Sequence, residues 1–366
     1  MAARVHEIRV DRSVPLAKQP GTGHNRWHPR VPPILWVDPG DEAILDTRGG
    51  GDQQINPRST AEEFAAMDLG RVHALTGPVW VNGAEVGDLL EVQILDVQSI
   101  DWGWTGFAPG FGFLRDLFDK PYLVHWRQEG GFAESPDMPG VRIPDASFPG
   151  VIGVAPSEEL VRRATARERE AAERGAIVMQ PDPRGAIPAQ EPIASQGLRT
   201  MPPRENGGNL DVKDLVRGTT VYFPVMVEGA LLSIGDPHYA QGDGESCGTA
   251  IETEATFHLR LDLIKGGARE RNVQSPQYVR RMPARAREYY VTTGMSVRNG
   301  EVQMAEDANT AAYNALVAMI DHLQWRGYTR EQAYVLCSAA VDLKLSEIVG
   351  LPNLTVSAFL PTDIFV

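Results

Sequence analysis

Apolar and polar residues alternate in several stretches of this chain, and the alternation predicts β-strands with one buried face. Every second position is apolar in 90–94 and again in 257–263, which is the two-residue period of a half-buried strand. The ranges 219–225, 230–234 and 355–359 are rich in β-branched, aromatic or other apolar residues and predict three more strands. We therefore expect a mainly β structure.

Two of the predicted strands are close enough in sequence to form a β-hairpin. The apolar residues 79–81 precede Asn82 and Gly83, and the alternating segment 90–94 follows a few residues later. Asn-Gly accepts the positive φ angles of a type I′ turn, which is a common connection in short hairpins. We expect 79–81 and 90–94 to pair as antiparallel neighbours.

Helical periodicity is restricted to two parts of the chain. In the first part, Ser157 is a typical N-cap residue ahead of the charged stretch 162–174, which predicts an exposed helix. The proline-rich segment 181–203 that follows cannot form regular structure over its whole length. We interpret 157–203 as a charged helix and a proline-rich connection inserted within a single domain that spans 1–366.

The second helical part is predicted near the C-terminus as a hairpin over 305–350. Apolar residues at helical spacing form one stripe: Ala312, Ala315, Leu316, Met319, Ile320 and Leu323. Gly327 is expected to end this helix, and Thr329 with Gln332 predicts a capping box that starts the second helix. We expect the second helix to end at Gly350.

Composition and charge exclude several classes of protein. Of the 366 residues, 42% are apolar, enough for a large core, and 36 Gly and 27 Pro favour turns and strands over a helix bundle. The net charge of −13 repels phosphate and anionic lipid, so we expect no nucleic-acid partner and no membrane partner. We find no pattern of a signal peptide or membrane span and only two cysteines, so we expect a cytoplasmic protein.

The densest set of polar residues lies in a glycine-rich segment at 235–248. Its ionisable candidates are Asp236, His238, Asp243 and Glu245. Asp211 lies upstream in a second glycine-rich segment. Imidazole and carboxylate groups are the ligands of catalytic zinc, which lowers the pKa of water to about 7, and a free glutamate can then move the proton. Aspartate and glycine are also ordinary turn formers, so the spacing alone leaves a structural role open.

The same segment also permits an interpretation without metal. Residues 244–248 match the G-x-S-x-G pattern of a nucleophile elbow, which makes Ser246 or Cys247 an alternative nucleophile. That elbow requires a strand directly before the serine and a helix directly after it. Polar loop residues precede Ser246 and a predicted strand follows, so the match favours coincidence over function.

Other segments contain further candidate site residues, each of which could equally be structural. His24 lies in a stretch with a second histidine, an arginine and a tryptophan, Asp52 lies in an acidic glycine-rich stretch, and His73 precedes a predicted strand. Trp104 and Phe111 belong to a glycine-rich aromatic run that predicts either a loop over a small apolar pocket or a packed edge.

Taken together, these stretches resemble the acetamidase/formamidase family. The matching stretches are HNRWHP (24–29), the acidic segment 46–55, LTGPVWVNGAEVGDLLEVQIL (75–95), GFAPGFGFL (106–114), FPGVIGVAP (148–156), ENGGNLDVK (205–213), GALLSIGDPHYAQGDGESCGTAIE (229–252) and LPTDIF (360–365). They cover the chain in order from about residue 20 to its end. The charged stretch 157–190 resembles the family least.

The resemblance implies a fold and an activity. The expected fold is mainly β with α/β elements: the resemblance implies a jelly-roll-like β core, and the sequence patterns above add a C-terminal helical hairpin and the charged helical insertion. The expected activity is the hydrolysis of short linear amides to a carboxylate and ammonia by water activated at a divalent metal, with zinc (Zn2+) the expected ion. A small amide substrate, a cytoplasmic location and a homo-oligomeric state are implied as well.

Our hypothesis assigns an expected role to each candidate residue. The expected metal ligands are Asp211, Asp236 and His238, together with His73 or Asp52. The expected catalytic residues are Glu245, which moves the proton of the water, and Asp243. The expected substrate-binding residues are Trp104, Phe111 and His24.

Two alternatives stay open at this point. One is a metal-independent amidase or esterase that uses Ser246 or Cys247 as its nucleophile, and the other is a non-catalytic protein that binds small amides. The preferred amide is also open, because one methylene group in an apolar pocket changes discrimination by only about 1–3 kcal/mol.

Overall fold

The computed structural model describes residues 3–280, 288–299, 301–347 and 355–366. The described chain is mainly β, with 33% strand and 19% helix. Its strands are β1 (Val5–Ile8), β2 (Gly23–His24), β3 (Leu35–Val37), β4 (Glu42–Thr47), β5 (Leu75–Val81), β6 (Leu89–Ser99), β7 (Trp102–Phe107), β8 (Tyr122–Glu129), β9 (Phe132–Glu134), β10 (Ile143–Pro144), β11 (Phe148–Gly153), β12 (Gly207–Asn209), β13 (Thr220–Pro224), β14 (Leu232–His238), β15 (Ala255–Ile264), β16 (Gln277–Val279), β17 (Tyr289–Met295), β18 (Val297–Arg298), β19 (Val302–Gln303), β20 (Asp342–Glu347) and β21 (Thr355–Pro361). Its helices are α1 (Ala61–Ala65), α2 (Glu158–Glu173), α3 (Ile193–Gln196), α4 (Gly267–Glu270), α5 (Ala308–Trp325) and α6 (Arg330–Ala340).

Two six-stranded sheets pack face to face. The first sheet has the order β1-β4-β15-β6-β13-β16, and the second has the order β12-β11-β14-β5-β2, with β3 also paired to β5. Their inner faces share one apolar core, whose members include Leu45, Leu90, Val92, Ile94, Val221, Phe223, Phe257, Leu259 and Leu261 from the first sheet and Val79, Val81, Phe148, Ile152, Leu232 and Ile234 from the second. Such packing of two sheets over one core is a β-sandwich.

The alternating segments form the central strands of the first sheet, as their period predicts. Leu90, Val92 and Ile94 are buried in β6, and the residues between them are half-buried. In β15, Leu259 is fully buried and pairs with Ile94 across the two strands. The predicted strands at 219–225, 230–234 and 355–359 correspond to β13, β14 and β21.

The predicted hairpin is wrong, because β5 and β6 belong to different sheets. β5 pairs with β14, β2 and β3, whereas β6 pairs with β15 and β13. Asn82 and Gly83 do form a turn, and Gly83 has a φ of 76°. The connection after this turn is hydrogen-bonded to residues 225–229, and in one of these bonds the Gly87 N–H donates to the Val225 carbonyl at 3.0 Å. The connection then leads into β6 of the other sheet.

The charged stretch is helical and packs on the second sheet. The Ser157 side chain caps α2 by accepting from the Leu160 N–H at 3.1 Å. Leu160, Val161 and Ala164 are buried against a small apolar cluster that includes Trp27. Between residues 174 and 203, all of which are described, the short α3 is the only helix of the proline-rich connection.

The C-terminal helices match the predicted apolar stripe and the predicted capping box but differ from the prediction at the end of the second helix. The apolar stripe of α5 is buried apart from Ala312, which is half-buried, and Thr329 with Gln332 forms the capping box of α6. α6 ends at Ala340 and strand β20 follows at once, so the prediction of a helix up to Gly350 is wrong. Polar and apolar residues alternate in 342–345, which is the period of a strand, and Gly350 itself lies outside the described residues.

A second apolar core lies beside the sandwich. It joins α5 and α6 to a four-stranded sheet of order β10-β9-β8-β7 and to a three-stranded sheet of order β17-β21-β20. β18 and β19 form a separate two-stranded sheet. Within the described ranges, no helix has both the length and the apolar character needed to cross a bilayer.

The central position of Leu259 makes it a test of the sandwich. We expect Leu259→Ala to lower the free energy of unfolding by about 2–5 kcal/mol, because the truncation leaves a cavity between the two sheets. Chemical denaturation monitored by circular dichroism measures this loss. Asp262→Ala changes an exposed residue of the same strand, so we expect an effect within about 0.5 kcal/mol. Equal effects of the two substitutions would contradict the assigned orientation of β15.

Candidate active site

Strand directions bring three widely separated segments to one edge of the second sheet. β12 and β14 both pair antiparallel with β11, so they run in the same direction and end at the same edge. Asp211 follows β12, and Asp236 and His238 end β14. β5 is antiparallel to β14 and starts at this edge, with Leu75 opposite Gly235, so that His73 arrives there as well.

Six ionisable side chains form the resulting cluster: His73, Asp211, Asp236, His238, Glu245 and Glu252. The Nε2 atom of His238 lies 3.4 Å from Asp236 Oδ2 and 3.4 Å from Glu252 Oε1. His73 Nε2 lies 3.6 Å from Asp236 Oδ2. Asp211, His238 and Glu245 form a second set whose ligand atoms lie within 4.8 Å of one another. His238 is therefore shared by two sets of carboxylates.

The two sets differ in their exposure to solvent. His238 is 1% exposed, Asp236 is 4% exposed and Glu252 is 6% exposed. Asp211 and Glu245 are half-buried. The residues Asp211 and Glu245 are therefore less buried than those of the other set, although the Asp211 Oδ1 atom is itself buried.

Burial and mutual repulsion perturb the protonation of these carboxyl groups. Burial, reinforced by Asp236, raises the pKa of Asp211 to about 7 although His238 opposes the shift. Burial, followed by the charge of Asp211, raises the pKa of Glu245. Burial alone would also raise the pKa of Asp236, but the two imidazoles outweigh it and hold that pKa below its usual range. Four carboxyl groups thus compete for two imidazoles in a site with little water, an environment that favours a bound cation.

The donor atoms fit a divalent metal ion. A separation of 3.4 Å is longer than an ordinary hydrogen bond, whereas two ligands about 2.1 Å from one tetrahedral ion lie roughly 3.4 Å apart. Among the described residues, neither His238 Nε2 nor Asp211 Oδ1 has a hydrogen-bond partner, although both atoms are buried. Nitrogen and oxygen donors of this kind suit zinc.

Two glycines allow the main chain to pass close to these side chains. A Cβ atom on Gly50 would lie 1.8 Å from Asp236 Oδ1, and one on Gly150 would lie 2.7 Å from the His238 ring. The backbone φ angles are also unusual, at 48° for Asp211, 52° for Asp236 and 43° for Glu245. Left-handed conformations cost free energy for residues other than glycine, so the surrounding structure must hold these carboxylates in place.

Two of the predicted ionisable residues lie outside the cluster. The carboxylate of Asp52 accepts a hydrogen bond from the Leu16 N–H at 2.7 Å and forms an ion pair with Arg71 at 3.0 Å. The side chain of Asp243 is 41% exposed, and Lys213 lies 3.8 Å from it. Neither carboxylate is a member of the two sets that share His238.

The predicted substrate-binding residues occupy three different environments. Both nitrogens of His24 are already bonded, to the Arg26 carbonyl at 2.8 Å and to Ser233 Oγ at 2.7 Å, and burial lowers the pKa of His24 to about 4. The Phe111 ring packs closely on Gly248, because a Cβ atom on Gly248 would lie 2.5 Å from the ring.

Among the predicted substrate-binding residues, Trp104 is the one whose backbone pairs with a residue of the cluster. Its N–H and carbonyl pair with the carbonyl and N–H of Glu252 at 2.9 and 2.8 Å. The Trp104 side chain packs against Phe64 and lines a cavity of about 20 Å³. The other residues that line this cavity are Gly49, Gly51, Gln53, Ile55, Trp102, Thr253 and Glu254. The cavity is therefore lined by the residues on either side of Gly50 and by the two residues that follow Glu252.

The alternative nucleophiles have no activating base in the described chain. Ser246 Oγ is buried without a hydrogen-bond partner among the described residues. Cys247 is fully buried, its thiol faces backbone carbonyls at 3.6 Å, and burial raises its pKa to about 11. A nucleophile of either type needs an adjacent base or a lowered pKa, so the geometry does not favour the elbow interpretation.

Sequence reasoning did not single out Glu252. It lies two residues before Glu254 in a short polar run, and the local pattern does not distinguish the two glutamates. The distinction arises from pairing, because the backbone of Glu252 bridges to that of His238. The one signal that could have identified Glu252 is its position within 229–252, the longest stretch that resembles the family.

The fold and the site together define a mainly β protein with a buried cluster of carboxylates and imidazoles that fits a divalent cation. A model of the Acetamidase/Formamidase family matches residues 9–366. This match covers almost the whole sequence, cluster included. The chain therefore belongs to the acetamidase/formamidase family.

Individual relatives agree with this assignment. The chain is 37% identical to a formamidase of Methylophilus methylotrophus, over 98% of this chain and 93% of that protein. It is 39% identical to an acetamidase of Mycolicibacterium smegmatis, over 89% of this chain and 87% of that protein. The solved structure of a gamma lactamase from Delftia acidovorans superposes with a TM-score of 0.93 at 36% identity, over 98% of this chain and 93% of that one.

Proposed function

We propose that this protein hydrolyses short linear amides to a carboxylate and ammonia at the cluster around His238. The observation that carries the proposal is the cluster itself, in a chain whose relatives over nearly full length are called formamidase and acetamidase. Amide hydrolysis requires a polarised carbonyl, an activated water and a proton for the leaving nitrogen. The cluster combines groups suited to each of these tasks.

The proposed ligands of a divalent metal, with zinc the expected ion, are Asp236, His238 and Glu252, with His73 beside Asp236. The burial of these residues and the 3.4 Å spacing of their donor atoms support this choice over the half-buried set. The ion, when bound, would polarise the amide carbonyl and acidify the attacking water. Asp211, which was expected to be a ligand, takes a place beside Glu245 in this proposal.

Glu245 is the proposed proton carrier. It is half-buried, and its ligand atom lies within 4.8 Å of those of Asp211 and His238, so the proposal places the attacking water beside its carboxylate. The carboxylate accepts a proton from water as the oxygen bonds to the carbonyl carbon. It then donates that proton to the nitrogen as the C–N bond breaks, because an amide nitrogen leaves only after protonation. The products are ammonia and the carboxylic acid, which releases its proton to solvent and becomes the carboxylate.

The cavity beside Trp104 is the proposed site for the acyl group. A volume of about 20 Å³ is little more than the space of one water molecule. Hydrogen or a methyl group fits such a space better than a longer chain, which favours formamide and acetamide as substrates. Phe111 and His24 have no part in this proposal, because the Gly248 backbone and internal hydrogen bonds already occupy them.

Several features that the resemblance implies stay predictions. They are the jelly-roll path of the strands, the organisation of 1–366 as a single domain, the cytoplasmic location and the homo-oligomeric state. The absence of metal dependence would favour a nucleophile at Ser246 or Cys247, and amide binding without ammonia release would favour a non-catalytic binding protein.

Ammonia release from amides of one to four carbons is the direct test of the proposed function. We expect the purified protein to release ammonia from the shortest amides, to lose this activity when a chelator removes the metal, and to recover it with added zinc. The measurement is a coupled ammonia assay with parallel elemental analysis. Activity that resists the chelator and is abolished by a serine- or thiol-directed reagent would contradict the metal proposal.

Two glutamate substitutions test the division of roles within the cluster. We expect Glu252→Gln to lower the bound metal, because it removes a charged ligand, and Glu245→Gln to keep the metal but lose about 10²–10⁴-fold in kcat, because it removes the proton carrier. Elemental analysis and steady-state kinetics measure these effects. Glu129→Gln changes an exposed carboxylate on β8 and should alter neither quantity. Loss of metal in the Glu245 variant alone would place the ion in the half-buried set instead.

A smaller residue at position 104 tests the acyl site. We expect Trp104→Phe to raise the ratio of kcat/KM for propionamide to that for formamide by about tenfold or more, because an enlarged pocket accepts extra methylene groups. Trp126→Phe is the matched control, since Trp126 is buried in the neighbouring strand β8 but does not line the cavity. An unchanged ratio in the Trp104 variant would remove the cavity from the proposal.

A further inference from the structure

The side-chain amide of Gln241 connects two members of the cluster. Its Oε1 atom lies 2.9 Å from His238 Nδ1, and its Nε2 atom donates to the Asp211 backbone carbonyl at 2.8 Å. Gln241 is 6% exposed. One buried amide thus contacts the shared imidazole and the main chain of a neighbouring carboxylate, and sequence reasoning did not assign it a role.

The direction of the Gln241 amide follows from its second partner. A carbonyl oxygen can only accept hydrogen bonds, so the NH2 group must face Asp211 and Oε1 must face His238. An amide oxygen also only accepts, so His238 Nδ1 must carry a hydrogen. The lone pair of the neutral imidazole is then on Nε2, the atom that lies 3.4 Å from Asp236 and Glu252.

The carboxylates of the cluster favour a proton on Nε2, either in the opposite tautomer or in the imidazolium form. Asp236 and Glu252 are both acceptors, and each would gain a charge-assisted hydrogen bond if the proton were on Nε2. An imidazole with its proton there has no lone pair to offer on that side. Among the described residues, Gln241 supplies the acceptor recorded for Nδ1, and it therefore opposes the tautomer whose single proton is on Nε2.

The loop that contains Gln241 is held firmly on both sides. The Tyr239 N–H donates to the Ile251 carbonyl at 2.8 Å, and the Ile251 N–H donates to the Ala240 carbonyl at 3.0 Å. The Gly242 N–H donates to the Ser338 carbonyl in α6 at 2.7 Å. The backbone is therefore fixed immediately before and after Gln241, which limits the positions that its amide can take.

We propose that Gln241 is a positioning residue that keeps the proton of His238 on Nδ1, so that Nε2 is available as a metal ligand, and that it holds the Asp211 main chain beside that imidazole. This inference rests on the proposed metal site and assigns to that site a residue that is not itself a ligand. Partners of this kind orient ligating imidazoles, and their loss weakens metal binding by about 10–100-fold.

Two substitutions at position 241 separate the contact with His238 from a general packing role. Gln241→Leu keeps the approximate size but removes both hydrogen bonds. Gln241→Glu keeps the acceptor for Nδ1–H and removes the donor to Asp211. Asn25→Leu is the matched control, because Asn25 is another buried amide that bridges main-chain groups, donating to the Gly185 carbonyl and accepting from the Ile187 N–H at 2.8 Å each.

The measurement is zinc affinity, obtained by competition with a chromogenic chelator, together with the visible absorption spectrum of the Co2+-loaded protein. We expect about 10–100-fold weaker zinc binding and a changed spectrum for Gln241→Leu. We expect Gln241→Glu to bind within about tenfold of the wild type, because the carboxylate still accepts from Nδ1–H. Asn25→Leu should leave both readouts unchanged. Thermal denaturation identifies folded variants, and Gln241→Met replaces the leucine variant if that one does not fold.

Three outcomes would overturn the inference in distinguishable ways. Wild-type zinc affinity and an unchanged Co2+ spectrum in Gln241→Leu would show that the amide does not position the ligand. Equal losses in the leucine and glutamate variants would show that the acceptor at Nδ1 is not what matters. A wild-type protein that takes up no zinc would overturn the proposed metal site itself, and this inference with it.

Discussion

The burial of one imidazole among four carboxylates is the constraint on which the rest of the site depends. His238 is 1% exposed and belongs to both sets of acidic residues. Like charges in a dry environment repel each other strongly, so such an arrangement persists only where rigid structure holds it. The left-handed backbone at Asp211, Asp236 and Glu245 and the glycines at positions 50 and 150 are the local features of that structure.

Each apolar core holds a different part of the cluster. The sandwich aligns the ends of β12 and β14 with the start of β5, which places Asp211, His238 and His73 at one edge. The second core holds the loop that contains Glu245, because Ser338 of α6 accepts from the Cys247 N–H at 3.1 Å and donates to the Thr249 carbonyl at 2.6 Å. The sandwich therefore positions the proposed ligands Asp236 and His238, whereas the second core positions Glu245, the proposed proton carrier.

The sequence predicts the individual elements of this fold better than it predicts their partners. The two-residue period identifies β6 and β15 because it reports directly on which face of each strand is buried. The Asn82-Gly83 turn was identified correctly, but turn propensity contains no information about which sheet receives the next strand. The strand β20 was missed because capping signals at Thr329 show where a helix starts and not where it stops.

The candidate site shows the same limit. Asp52 and Asp236 are both buried aspartates with left-handed backbone in glycine-rich surroundings, and their sequence contexts look alike. They differ in their partners, since Asp52 meets Arg71 whereas Asp236 meets two imidazoles. Arg71 and His73 are distant in sequence from the aspartates they meet, so this part of the difference arises only in the folded chain. Glu252 was missed for the same reason.

The geometry of His238 also restricts which residues of the proposed site can bind the ion and which can exchange protons. One imidazole nitrogen has a single lone pair, and with Nδ1 engaged by Gln241 only Nε2 is available to the two sets of carboxylates. A single ion bound through Nε2 therefore belongs to one set, and the carboxylates of the other set stay free to exchange protons. Because Asp236 and Glu252 are the more buried pair, a cation would gain most by neutralising them, and the proposal therefore places the ion there and leaves Glu245 and Asp211 beside the water and the amide.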